Sequence, residues 1–218
     1  MVSATPYDAV LFDCDSTLSA IEGIDELARQ AGLYDKLAPL TAAAMEGKLS
    51  LEAVYRQRLD AIRPTLAAVA ALGECYIRHV VPGAGEVIAA LQQSGKRVHI
   101  VSGGLRQAVL PLAAYLGVAA ENVHAVDIYF DEEGQYRDFD EASPLARSGG
   151  KTVVCRQVAE REGNIVLVGD GMTDFEVTES GVDFIGFGGV VKRESVRHSA
   201  PRYIEDATLL PVLDYVLA

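Results

Sequence analysis

The stretch YDAVLFDCDSTL, residues 7–18, limits what this chain can fold into more than any other. Four β-prone apolar residues, Ala9, Val10, Leu11 and Phe12, run straight into two carboxylates, Asp13 and Asp15. A short apolar run without alternation reads as a strand buried on both faces, the mark of a parallel sheet covered by helices. In extended backbone, residues two apart point to the same side. Asp13 and Asp15 are therefore expected to project together from the carboxyl end of the strand, where open α/β sheets hold their ligands. Two anions that close repel each other and call for a cation beside them, or a proton on one of them. A solvated acidic turn after a strand has the same local sequence, so the rest of the chain has to separate the two readings.

After Leu18 the apolar spacing becomes helical. Ile24, Leu27, Ala28 and Ala31 form one face ended by Gly32, and Leu37, Leu40, Ala44 and Met45 form another ended by Gly47. Ser50 is read as the cap of a third helix that runs to Pro64, and Thr65 as the cap of a fourth. A single crossover rarely needs so many helices, so the pattern predicts a small bundle inserted after the first strand. From Pro82 strand and helix alternate. Val98–Val101 is a strand ended by Ser102-Gly103-Gly104 and followed by a helix over 105–116. Residues 123–140 are a strand running into a hairpin turned at Glu133-Gly134, and Lys151 opens a helix. Ile165–Val168 is a buried strand ended by Gly169-Asp170-Gly171, and Phe184–Phe187 is a further strand with a helix from Lys192. Tyr203-Ile204 reads as an edge strand, before a last helix over 208–217. The fold class is α/β: a doubly wound, Rossmann-like parallel sheet formed by residues 1–18 and 80–218, with residues 19–79 as a helical insertion.

Four polar clusters lie at predicted strand ends or helix starts: Asp13/Asp15, Ser102-Gly103, Lys151 and Asp170/Asp174. A parallel sheet brings all its carboxyl ends to one edge, so these clusters should converge. Ser102 with Gly103-Gly104 offers a hydroxyl, bare backbone N–H groups and a helix start, the parts of a phosphate site; a capped helix with flexible glycines has the same sequence. Lys151 opens a helix where the dipole disfavours a cation, unless its ammonium faces a phosphate or the carboxylates. Asp170 adds a third carboxylate to the edge, which indicates a hard cation with oxygen ligands, and Mg²⁺ fits best. Asp174 falls on the first turn of the next helix, placed to orient a metal-bound water or to serve as an ordinary N-terminal helix acid.

Charge and motifs narrow the function. The net charge of −12 repels nucleic acid and anionic lipid, whose recognition rests on Lys and Arg clusters. No apolar run approaches the ~20 residues of a bilayer span, and the start carries no leader pattern. Cys14, Cys75 and Cys155 are an odd set without CxxC spacing, which points to a reducing compartment, the cytoplasm. There is no GxxxxGK[ST] loop and no GxGxxG after the first strand. Cys14 has Ala20 where a cysteine phosphatase needs Arg. Cys155 has Arg161 at that spacing, but inside an amphipathic helix. His79, His99, His124 and His198 show no metal-ligand spacing, and His99 is read as a packed strand residue.

FDCDSTL, IVSGG, the SGGK lysine and VGDGMTD occur in the order found in the haloacid-dehalogenase superfamily. GIDELA, AMEGKL, QRLDAIRP, FDEASPLARSGGK and FIGFGG extend the likeness, so that from Tyr7 to Leu217 the chain resembles the phosphoserine phosphatase family. The resemblance implies Asp13 as nucleophile, giving an aspartyl phosphate, and Asp15 as the acid that protonates the leaving alkoxide and then activates water. It implies Mg²⁺ held by the Asp13 carboxylate, the Asp15 carbonyl and Asp170. Ser102, Gly103 and Lys151 would then bind phosphoryl oxygens, with Thr173 hydrogen-bonding nearby where many bacterial relatives have Asn. The insertion would be a cap that closes over the site. On it Glu22 would meet a substrate ammonium, Arg58 a substrate carboxylate, and Met45 would form an apolar wall. Read without the resemblance, Glu22 and Arg58 look like solvated helix faces.

The function implied is Mg²⁺-dependent hydrolysis of O-phospho-L-serine, a small phosphorylated amino acid, in serine biosynthesis. A related phosphatase, or a phosphotransferase with an acceptor such as homoserine, has the same residues, because an aspartyl phosphate is indifferent to its acceptor. A signalling module that stores an aspartyl phosphate also shares the acidic site. It is set apart by lacking both an inserted bundle and an Asp15 placed to activate water. A protein phosphatase is disfavoured because so large an insertion should shut out a folded substrate.

Overall fold

The computed structural model describes residues 7–217; residues 1–6, where the leader pattern was sought, and residue 218 lie outside that range. β1 (Ala9–Phe12) leads into four helices, α1 (Gly23–Gln30), α2 (Tyr34–Met45), α3 (Leu51–Ile62) and α4 (Leu66–Arg78). Then come α5 (Ala84–Gln93), β2 (Arg97–Leu105), α6 (Arg106–Tyr115) and β3 (Val123–Val126), followed by the hairpin strands β4 (Ile128–Phe130) and β5 (Tyr136–Phe139). The chain closes with α7 (Gly150–Glu162), β6 (Ile165–Gly169), α8 (Met172–Phe175), β7 (Asp183–Phe187), α9 (Glu194–Ser199), β8 (Tyr203–Ile204) and α10 (Val212–Val216).

The main sheet has six strands in the order β3-β2-β1-β6-β7-β8, all parallel. β1 is central, with Leu11 opposite His99 of β2 on one side and Leu167 of β6 on the other. Every side chain of β1 is fully buried, as are Val166, Leu167 and Val168 of β6. Such burial is worth roughly 1.5–3 kcal/mol for each large apolar side chain, and it fixes where β1 must end. The direction of winding reverses between β1 and β6, so the crevice of an open α/β sheet opens between Asp13 and Asp170.

The inserted helices hang from a narrow stem. The chain leaves and re-enters the core side by side, with Val81 N donating to Leu18 O at 2.9 Å and Ala20 N to His79 O at 2.8 Å. Ser19 Oγ donates to Tyr76 O at 3.0 Å. α4 also leans on core helix α6 at Gly73, where a Cβ would lie 2.9 Å from Pro111 Cγ.

Several local expectations need correction. β2 does not stop at Ser102 but continues to Leu105, its register with β3 shifting between Val101 and Leu105. α6 therefore starts at Arg106, and no helix N-terminus stands behind Ser102. Ser50 occupies the N-cap position of α3 but its side chain makes no capping bond, whereas Thr65 does accept from Ala68 N at 3.2 Å. The helix expected from Lys192 begins at Glu194, because Arg193 is extended and turns inward. The last helix is shorter than its apolar spacing predicts, and turns replace its first residues.

One close approach fixes the start of α7. A Cβ on Gly150 would lie 1.8 Å from Pro144 O, a backbone atom that cannot swing away. Gly150→Ala is expected to lower stability by about 1–3 kcal/mol, the range of an overpacked core, and to displace Lys151 with it. Thermal melting together with activity checks this; an unchanged melting temperature would contradict the packing described.

Candidate active site

β1 ends with Asp13 and Asp15 because its apolar register runs out there, and the acids sit where the sheet opens. Lys151, on the first turn of α7, places Nζ 2.6 Å from Asp13 Oδ1 and in contact with Asp174 Oδ1. Asp174 is itself fixed by the turn after β6, its Oδ2 accepting from Gly171 N at 3.0 Å. Asp170 accepts from Arg193 Nε at 2.9 Å and from Thr17 Oγ1 at 3.4 Å. Asp13, Asp170, Asp174 and Lys151 are all buried.

Asp15 faces another way. Its Oδ1 accepts from Gly23 N at 2.5 Å and from the Tyr76 hydroxyl at 2.8 Å, both contributed by the inserted helices. Its Oδ2 lies 3.5 Å from Ser102 Oγ, which in turn accepts from Gly104 N at 2.9 Å. The hydroxyl and the glycine backbone thus lie beside Asp15 without help from a helix dipole. Thr173 is buried at the start of α8 and lines the same pocket.

The electrostatics are those of a site short of positive charge. Burial lifts the Asp13 carboxyl well above its ordinary value; Asp174 adds to this and Lys151 opposes it. Burial likewise raises Asp170 to about 6, against the pull of Arg193. Burial together with Asp15 and Asp170 carries Glu22 to about 8. Asp15 is also raised by burial, with Gly23 N–H and Tyr76 pulling the other way. Burial would depress the Lys151 ammonium, but Asp13 and Asp174 outweigh it and hold its pKa raised.

One carboxylate oxygen each from Asp13, Asp170 and Asp174 can be chosen so that all lie within 4.8 Å of one another. Hard oxygen donors that crowd and resist ionisation fit a divalent metal ion, which would relieve their repulsion. The Asp15 carboxylate is directed at Gly23 and Tyr76, away from this trio, so a share in the metal would fall to its backbone carbonyl.

The insertion supplies the opposite wall. Arg58 of α3 is only 4% exposed, donates from one terminal nitrogen to Thr41 Oγ1 at 3.1 Å, and has an unpartnered Nε. Tyr55, one turn earlier, donates its hydroxyl to Gly103 O at 2.9 Å. Met45 of α2 lines the pocket above Gly171. Glu22, the residue before α1, also lines it, and its Oε1 accepts from Ser16 Oγ at 2.8 Å and from Arg193 at 3.2 Å. The pocket between the two walls has a volume of about 70 Å³, on the order of five water-sized bodies. That size suits a small metabolite.

Arg193 is the residue the sequence reading missed. It stands between Asp170 and Glu22 and so joins the core edge to the insertion. Its signal was an arginine a few residues after the Gly188-Gly189 pair, past the end of a strand on the same sheet edge. Tyr76 and Thr41 gave no signal beyond helical spacing. The thiols take no part: Cys14 and Cys155 are buried, and burial raises the first well above its ordinary value and the second to about 12.

Comparisons with known proteins identify the family. The family model for haloacid dehalogenase-like hydrolases matches residues 10–179. The chain is 41% identical over 201 residues to the phosphoserine phosphatase of Bos taurus, covering 91% of this chain and 89% of that one. A substrate-bound phosphoserine phosphatase structure is similar at TM-score 0.83 and 29% identity, over 98% of this chain and all of the other. A phosphoserine phosphatase seen as an analogue of its phospho-aspartyl intermediate has TM-score 0.81 and 29% identity, over 97% of this chain and all of the other. With the sheet, its acidic edge and these likenesses together, the chain belongs to the haloacid dehalogenase-like hydrolases and, within them, to the phosphoserine phosphatase family.

Proposed function

We propose that the protein is an enzyme hydrolysing O-phospho-L-serine to serine and inorganic phosphate, with Mg²⁺ as its divalent ion, in serine biosynthesis. The observation that carries this reading is Arg58: a buried guanidinium with an unused Nε, in the same pocket as Asp13, Asp15 and Lys151. A buried charge without a partner is costly, and a planar donor fork suits a carboxylate. A substrate with a carboxylate at one end and a phosphoryl group at the other satisfies both walls.

In this reading residues 19–79 are a cap domain over a core of residues 1–18 and 80–218. Asp13 attacks phosphorus, forming an aspartyl–phosphate bond while the ester P–O bond breaks. Asp15, steadied by Tyr76 and Gly23 N, gives its proton to the departing serine oxygen. It then takes a proton from the water that attacks phosphorus and frees Asp13, with phosphate leaving. Ser102, Gly103 N–H and Lys151 hold the phosphoryl oxygens, with Thr173 beside them. Glu22 meets the substrate ammonium with the oxygen that Arg193 and Ser16 leave free, and Met45 packs against the substrate. Asp13, Asp170 and the Asp15 carbonyl would hold Mg²⁺, with Asp174 orienting its water; the ion would neutralise charge on the transferring phosphoryl group. Three free cysteines suit a reducing, cytoplasmic setting.

Phosphate release over phosphoserine, phosphothreonine, phosphohomoserine and sugar phosphates tests the reading. Phosphoserine should be preferred, chelation should abolish turnover, and Mg²⁺ should restore it. Equal rates across the panel would reject the substrate, and phosphohomoserine formed on adding homoserine would turn the assignment toward phosphotransfer.

A further inference from the structure

The first N–H groups of a helix have no partner within it and must find one outside. In α3 the adjacent Ser50 supplies none. Instead Leu51 N donates at 2.9 Å to the hydroxyl of Ser148, nearly a hundred residues away in the loop that leads to Lys151. The contact is reciprocal: Ser148 N donates to Glu52 Oε2 at 3.0 Å, and Ser148 Oγ donates to the same oxygen at 2.9 Å. This is the logic of a capping box, in which a hydroxyl and a carboxylate exchange bonds with each other's backbone. Here its two halves belong to the insertion and to the core.

Both halves are rigidly joined to the chemistry. On the core side Gly149 N is held by Glu176 Oε2 at 2.8 Å, Gly150 is wedged against Pro144 O, and Lys151 follows. On the other side Arg58 lies seven residues after Leu51, two turns along the same helix face, and both line the pocket. We propose that Ser148 and Glu52 are positioning residues that set Arg58 at the correct height above the Lys151 end of the site, so that the carboxylate is read only when the phosphoryl wall is in register. The proposal rests on the phosphoserine reading above. Ser148 and Glu52 are both exposed, so the link can break and re-form with each turnover.

The test compares phosphoserine with phosphoethanolamine, which lacks the carboxylate. Ser148→Ala is expected to raise KM for phosphoserine about fivefold, the equivalent of a lost N-cap, with kcat little changed. KM for phosphoethanolamine should stay as in the wild type. Ser148→Thr should restore the wild-type value, and adding Glu52→Ala to Ser148→Ala should raise KM for phosphoserine further, because the backbone N–H at 148 still bonds Glu52 Oε2 in the single variant. Equal changes for both substrates, no change for either, or failure of threonine to rescue would overturn the proposal. If the wild type itself does not prefer phosphoserine, the substrate reading fails separately. Hydrogen exchange at Leu51–Val54 then decides the link: faster exchange in Ser148→Ala supports it, and unchanged exchange overturns it.

Discussion

Asp13→Asn should leave the protein folded and nearly inert, with turnover of phosphoserine lower by roughly 10³-fold or more, the scale of losing a covalent nucleophile. Asparagine keeps the shape of the side chain but removes the attacking lone pair and the charge that Lys151 holds at 2.6 Å. The fold should not suffer, because burial and Asp174 both disfavour a charge on the Asp13 carboxyl. An amide removes that strain, a familiar exchange of function against stability. Steady-state kinetics and a melting curve on the same preparation check both halves. Full activity in this variant would remove the aspartyl phosphate from the mechanism, whatever happened to the melting temperature.

Arg58→Ala should lower kcat/KM for phosphoserine by about 150- to 4,000-fold while scarcely touching phosphoethanolamine. Breaking one side of a buried charge pair costs roughly 3–5 kcal/mol, which is that range in affinity. Among the described residues Arg58 has no such pair: burial lowers its pKa, and it donates to Thr41 Oγ1 at 3.1 Å. Its removal should therefore not destabilise the empty enzyme in proportion. Arg58→Lys should recover only part of the loss, since an ammonium cannot present two parallel donors. An equal loss on both substrates would move Arg58 from recognition to architecture.

The acidic edge was legible in the sequence because a parallel sheet makes its geometry almost automatic. An apolar run that ends in a carboxylate must place that carboxylate at the sheet edge, so Asp13 and Asp170 could be placed from β1 and β6 alone. Lys151 was legible for the opposite reason, as a cation where a helix dipole disfavours one. The opposing wall was not legible from patterns. Glu22 and Arg58 have the spacing of any solvated helix residue, and only the family resemblance singled them out. Arg193 was lost because a charged residue ahead of a helical pattern reads as its first turn. What turns it inward is the demand of Asp170 and Glu22, which no local rule contains. Ser50 failed similarly: its type fits a cap, but a tertiary partner reached the amide first.

The paired stem at Leu18–Ala20 and His79–Val81 has an evolutionary corollary. Because the insertion's two ends meet, its entire length can be exchanged for a longer, shorter or differently charged module without rethreading the scaffold beneath. On the proposed reading selectivity and reactivity fall in separable blocks, and a graft cut at those two crossings would be the natural route to retargeting the phosphoryl chemistry.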